Sequence, residues 1–355
     1  MTNKSSILTF LLLLAAGVLG GCIDRLDFFG DTQGGQLVIY GMVNDTDEVQ
    51  RLEISRTNLQ GFNPKGEDGA SVTLLTQDGR RLRYTNTGNG EYQLAGFKGT
   101  PGQSYSIEVI IDKDIYESTV QTMPTILAAD NLEFRFGREM LDTEAEEGVF
   151  VVSATTNFPE GDNSGFFRWT ALETYQWQRT WLPCVGLCPP PPNPCYISDL
   201  MDPNRITLFD GSSSRTRQTR QEIAKRAVDN SFIGIFYVSL KQHSITRDAF
   251  EYWRKIDLIV NNRGSLFDIP PAPVYGNITN KNNPDEIVLG FFEVARVKYT
   301  RKFVNPADVP FFLTRPCDIV VGKPAEDYAA ECVQCEVRAK GRAWTTTAPE
   351  WWFKD

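Results

Sequence analysis

Histidine is nearly missing from this chain. His243 is the single one in 355 residues, which excludes a multi-histidine metal site and leaves a Ser-His-Asp triad one candidate base. No Gly-x-Ser-x-Gly elbow accompanies it, so it reads as a loop histidine without a chemical role. No glycine-rich loop follows a strand and opens a helix, so nucleotide phosphates have no cradle. Lys and Arg total 36 against 45 Asp and Glu, a net charge of −9. Without a basic stripe to neutralise phosphates, nucleic acid is excluded as a partner. After residue 22 no stretch approaches the roughly 20 apolar residues of a membrane-spanning helix.

What is present begins at the N-terminus. Lys4 gives a positive start, Ile7 to Leu19 is an apolar run, and Leu19-Gly20-Gly21-Cys22 closes it with small residues and a cysteine. A plain secretory signal would end in an Ala-x-Ala-like site. This ending looks like a bacterial lipobox, in which the Cys22 thiol takes a diacylglycerol and becomes the new N-terminus. Two or more acyl chains anchor a protein stably to a membrane. Residues 1–21 are therefore expected to be a signal peptide and 22–35 a lipidated tether. The expected location is the outer membrane, lipid-anchored, at the cell surface in preference to the periplasmic face.

The remaining cysteines are Cys184, Cys188, Cys195, Cys317, Cys332 and Cys335. An even number outside the cytoplasm favours disulfides, with about 15 possible pairings. Cys332-Val333-Gln334-Cys335 has the spacing of a zinc knuckle, but a matched second pair is missing. Neither a metal nor a cofactor is expected.

From residue 36 to 124 short alternating segments are separated by turn signals. Leu37–Val43, Leu52–Arg56, Ala70–Leu74, Glu91–Leu94 and Tyr105–Ile110 read as strands, with Asp78-Gly79 and Asn89-Gly90 as turns. The pattern predicts an immunoglobulin-like or transthyretin-like β-sandwich. Met123-Pro124 ends it. Residues 125–355 predict a larger β-rich domain, so the fold class is mainly β. Phe166–Leu172 and Tyr175–Gln178 read there as an aromatic strand pair, and Phe232–Ser239 as another strand. One amphipathic helix is expected over 246–260, capped by Thr246, with Ala249, Tyr252, Trp253, Ile256, Ile259 and Val260 on its buried stripe. Four consecutive prolines, Pro189 to Pro192, stand between cysteines and make an extended, stapled loop. Trp169, Trp177 and Trp181 flank it and are the candidate contact surface.

The most distinctive text comes late. Ser244 to Trp253, Gly264-Ser265-Leu266-Phe267-Asp268, Gly276-Asn277-Ile278 and Val288-Leu289-Gly290-Phe291-Phe292 follow one another, and Pro349-Glu350-Trp351-Trp352 closes the chain. Together they resemble a family of uncharacterised Bacteroidota lipoproteins described only as a domain of unknown function. Phe267, Asp268, Gly276 and Asn277 form its motif loop, with Gly276 suited to a tight turn and Asp268 to a loop cap. Genes of such families often sit beside TonB-dependent outer-membrane transporters, so the resemblance implies a non-enzymatic accessory or substrate-capturing partner of a TonB-dependent β-barrel. It supplies no catalytic residues. The alternatives are a surface hydrolase acting on glycans or peptides through carboxylates, and a ligand-free envelope scaffold.

Overall fold

The computed structural model describes residues 35–353, apart from 59–63, 142–144, 160–164, 182–185, 189, 213–216, 262–273 and 321–322. The chain is mainly β, as its alternating segments predict. Leu37–Asn44 buries every second side chain and pairs antiparallel with Gln50–Arg56, which pairs with Glu91–Leu94. Ser71–Thr76, Ser104–Ile111 and Asp114–Ser118 form a second sheet. Leu37, Ile39, Leu52 and Ile54 from the first sheet share one hydrophobic cluster with Val72, Leu74, Ile107 and Val109 from the second. Asn89 and Gly90 both have positive φ, 54° and 77°, as a tight hairpin between right-twisted strands requires.

The strand Phe292–Val304 joins the two halves of the chain. It runs parallel to Leu37–Asn44 on one side and antiparallel to Phe236–Ile245 on the other. Phe236–Ile245 in turn pairs with Phe166–Trp177, and an 11-stranded sheet results. Asp45 prolongs the parallel joint: its carboxylate accepts from the Val297 amide at 2.7 Å and from Arg296 Nε at 3.0 Å. Downstream residues also complete the first unit, since Ile278–Asn280 pairs with Asp114–Ser118. Ile278, Val288, Phe292 and Val294 lie in its core. The line at 124/125 is thus crossed by a segment from far along the chain.

In the second half, Phe166–Trp177 is a single 12-residue strand, where the sequence suggested a pair. It stays continuous because it pairs with Phe236–Ile245 from Phe166 to Tyr175. The expected strand at 232–239 begins later, because Asn230–Ile233 forms a 3-10 turn capped by Asp229. Ala129–Glu139, Glu147–Asn157 and Gln218–Ala227 make a three-stranded sheet. Its Phe150 and Val152 pack with Phe167, Trp169, Tyr175 and Phe236.

The helix spans Arg247–Asn261, and Thr246 Oγ1 accepts from the Ala249 amide at 3.2 Å. Its Ala249 and Phe250 pack on Ile245, Phe291 and Ala295, over the joint in the large sheet. Gly264, in the motif segment that follows the helix, lies outside the described residues. Two disulfides, Cys195–Cys335 and Cys317–Cys332, tie down the C-terminal segment. The two cysteines of the Cys-x2-Cys motif therefore belong to different bridges. Cys188 is also disulfide-bonded, and Cys22 and Cys184 lie outside the described residues.

Candidate functional site

Strand alternation sets the site. Arg168 stands directly opposite His243 across two adjacent strands, and Glu293 shares their face. The helix reaches Glu293 and Arg168 through Trp253. Glu293 is fully buried, accepts from Arg168 at 3.1 Å and from the Trp253 indole N–H at 2.5 Å. The Arg168 guanidinium also lies 4.3 Å from the Trp253 ring centroid. His243 Nδ1 is 3.9 Å from Glu293, yet burial, helped by the Arg168 and Lys241 charges, pushes the imidazole well below its usual pKa. His243 is therefore neutral, and it is a buried strand residue, not a loop residue.

Beside this buried cluster opens a cleft of about 560 Å³. Tyr40 and Met42 belong to its lining, with Glu48, Arg51, Glu53 and Lys241 supplying the charge. Tyr40 connects the two regions, because its ring meets Trp253 edge-on at 6.0 Å. Burial and the Glu293 charge raise its phenol pKa. Glu48 accepts from the Tyr299 hydroxyl at 2.6 Å and from Lys241 at 3.2 Å. Partial burial pushes the Glu48 carboxyl up, but the Tyr299 hydroxyl and the Lys241 ammonium outweigh it and hold the group below its ordinary pKa. Arg51 is paired with Glu91. Glu53 stands between Tyr40 and Glu91 in the sheet register.

Among the described residues the lining contains no serine, threonine, cysteine or histidine. Its chemistry is that of fixed hydrogen-bond acceptors and cations on a rigid sheet, suited to holding a polar ligand in one orientation.

The residues singled out in the sequence fall elsewhere. Trp169 and Trp177 are buried in the second core, because odd positions of their strand point inward; only Trp181, 41% exposed, offers a contact surface. Gly276 and Asn277 act on the fold. The Asn277 amide donates to the Phe292 carbonyl at 2.9 Å and accepts from the Phe292 amide at 2.8 Å, standing in for a strand partner. Phe267 and Asp268 lie outside the described residues. Arg168, Glu293, Glu48, Lys241 and Tyr299 carried no flag in the sequence. A signal existed for two of them: Arg168 in Phe166-Phe167-Arg168-Trp169 and Glu293 in Phe291-Phe292-Glu293-Val294 are charges inside apolar strand text.

The family model for a domain of unknown function, DUF4249, matches residues 24–301. The chain belongs to this family. The DUF4249 span contains the whole cleft and the buried Arg168–Glu293–His243 cluster. It ends inside Phe292–Val304, so Cys317, Cys332 and Cys335 lie beyond it. No curated protein matches the chain.

Proposed function

We propose that this DUF4249 protein is a non-enzymatic binding protein that captures cargo in the cleft and passes it to a TonB-dependent barrel. In this reading it is a Bacteroidota lipoprotein, carried on the outer membrane by acyl chains at Cys22. The observation that supports it most is the state of Glu48. Two hydrogen bonds fix that carboxylate and hold it ionised, which makes it an orienting acceptor. Glycoside hydrolysis by paired carboxylates asks instead for one acid whose pKa is raised. The lipobox-like ending at Cys22 and membership of a family resembling transporter-linked lipoproteins support the location and the partner.

The test is gentle solubilisation of native outer membranes, followed by recovery of the full-length protein through a C-terminal tag. A β-barrel transporter is expected in stoichiometric amount, and charge reversal at Lys241 is expected to reduce uptake while leaving that complex intact. Recovery of the lipoprotein alone would overturn the transporter reading.

A further inference from the structure

A second pocket, of about 300 Å³, opens where the Phe166–Trp177 strand ends. Trp177, Ile233 and Pro316 supply apolar lining, while Gln176, Arg315 and Asp318 supply polar groups. That volume is at the lower end of the roughly 300–1,000 Å³ typical of small-molecule sites. It is too small for a folded partner and suits a compact ligand.

The pocket is held rigidly. The Arg315–Asp318 turn forms one wall, with the Asp318 amide donating to the Arg315 carbonyl at 3.4 Å. Cys317 in that wall is bridged to Cys332. Thr180, just past the strand, donates through its hydroxyl to the Cys317 carbonyl at 2.6 Å and through its amide to the Cys332 carbonyl at 2.8 Å. On the facing wall, a Cβ at Gly234 would stand 2.5 Å from the Gln176 carbonyl oxygen, so the backbone approach there requires glycine.

Two opposite charges, Arg315 and Asp318, stand exposed at this rigid pocket. Trp177 is about 95% buried, and its indole N–H meets no acceptor among the described residues. Neither Arg315 nor Asp318 forms an ion pair among the described residues, although only three positions separate them. A simple anion would satisfy Arg315 and be repelled by Asp318; a simple cation would do the reverse. A ligand carrying both charges beside an apolar group satisfies both and covers the apolar wall. We propose that this pocket binds a free α-amino acid with an apolar side chain. Its carboxylate meets the Arg315 guanidinium, its ammonium meets Asp318, and its side chain lies against Ile233 and Pro316, beside the buried Trp177. The pocket wall at 315–318 lies beyond the DUF4249 match, and the inference does not depend on the cleft or on a transporter.

The oxidised, full-length protein in detergent is titrated with L-leucine by calorimetry and by the indole N–H resonances of its 7 tryptophans. Saturable binding is expected, with one indole resonance shifting in step. R315Q and D318N change exposed side chains and leave the fold intact, and each is expected to weaken leucine binding at least about tenfold, the loss of one charge-assisted contact. L-leucinamide, lacking the carboxylate, should be insensitive to R315Q; N-acetyl-L-leucine, lacking the ammonium, should be insensitive to D318N. No saturable binding up to about 10 mM leucine, a ceiling near the weakest specific affinities, overturns the proposal. Binding unchanged in both variants overturns it equally.

Discussion

Gly276 lies against Gly290 so closely that a Cβ on Gly276 would stand 1.6 Å from the Gly290 carbonyl oxygen. Gly290, at φ +93°, in turn faces the Ile39 carbonyl oxygen, 2.1 Å from where its own Cβ would be. Two motif segments and the Leu37–Asn44 strand thus meet through bare backbone, and the Ile39 amide donates to the Leu289 carbonyl at 2.9 Å beside them. Gly276→Ala should cost about 2–4 kcal/mol, since a backbone clash has no side chain to yield. Gly69→Ala is the control, because its nearest neighbour is a Glu67 side-chain atom at 3.5 Å. Urea denaturation that finds both variants equally stable would sink this account.

The Arg168–Glu293 pair is buried on both sides. Arg168→Met leaves Glu293 without its cation, an expected loss of about 3–5 kcal/mol. Arg168→Met combined with Glu293→Leu should recover much of that loss, since no charge is then left buried. A double variant no more stable than the single one would show that the helix–sheet contact needs the charges themselves.

His243 makes stability depend on pH. Its folded-state pKa lies well below the ordinary value, through burial and then the Arg168 and Lys241 charges. As pH falls through about 6.5, the unfolded chain takes up a proton that the folded chain refuses. Stability contributed by this site is complete above that pH and declines below it, by at most about 1.4 kcal/mol per pH unit. His243→Asn should remove this slope between pH 6 and 5, and parallel curves for the two proteins would refute it.

The disulfides give a prediction of connectivity. Non-reducing digestion should yield peptides joined as Cys195–Cys335 and Cys317–Cys332, and none joining Cys332 to Cys335 within one motif. The bridges span 140 and 15 residues. Removing the first alone should cost about 5 kcal/mol and the second about 3, by loop-closure entropy. A fully reduced protein with an unchanged denaturation midpoint would contradict both figures.

Legibility in the sequence followed the range of the interaction. The hairpins at Asp78-Gly79 and Asn89-Gly90 were readable because a turn and its flanking alternation are local signals. The helix, expected at 246–260 and found at Arg247–Asn261, carried both its cap and its stripe within a few turns. The parallel pairing of Leu37–Asn44 with Phe292–Val304 left no local trace, because parallel partners need a crossover and here residues 45–291 lie between them. Lys241 and Tyr299 face each other across Phe236–Ile245 and Phe292–Val304, but Glu48 reaches them only through that parallel pairing, so the cleft was hidden for the same reason. Trp169 and Trp177 were misplaced at a contact surface because aromatic strand text does not say which face looks inward.

Leu37–Asn44 sits in the interior of the large sheet, gripped along one edge by Gln50–Arg56 and along the other by Phe292–Val304. A force applied ahead of Leu37 therefore pulls this strand lengthwise between two hydrogen-bonded neighbours. Lengthwise loading engages the ladder bonds together, whereas peeling an edge strand breaks them one at a time. The start of Leu37–Asn44 is thus a point at which this fold is built to bear mechanical load.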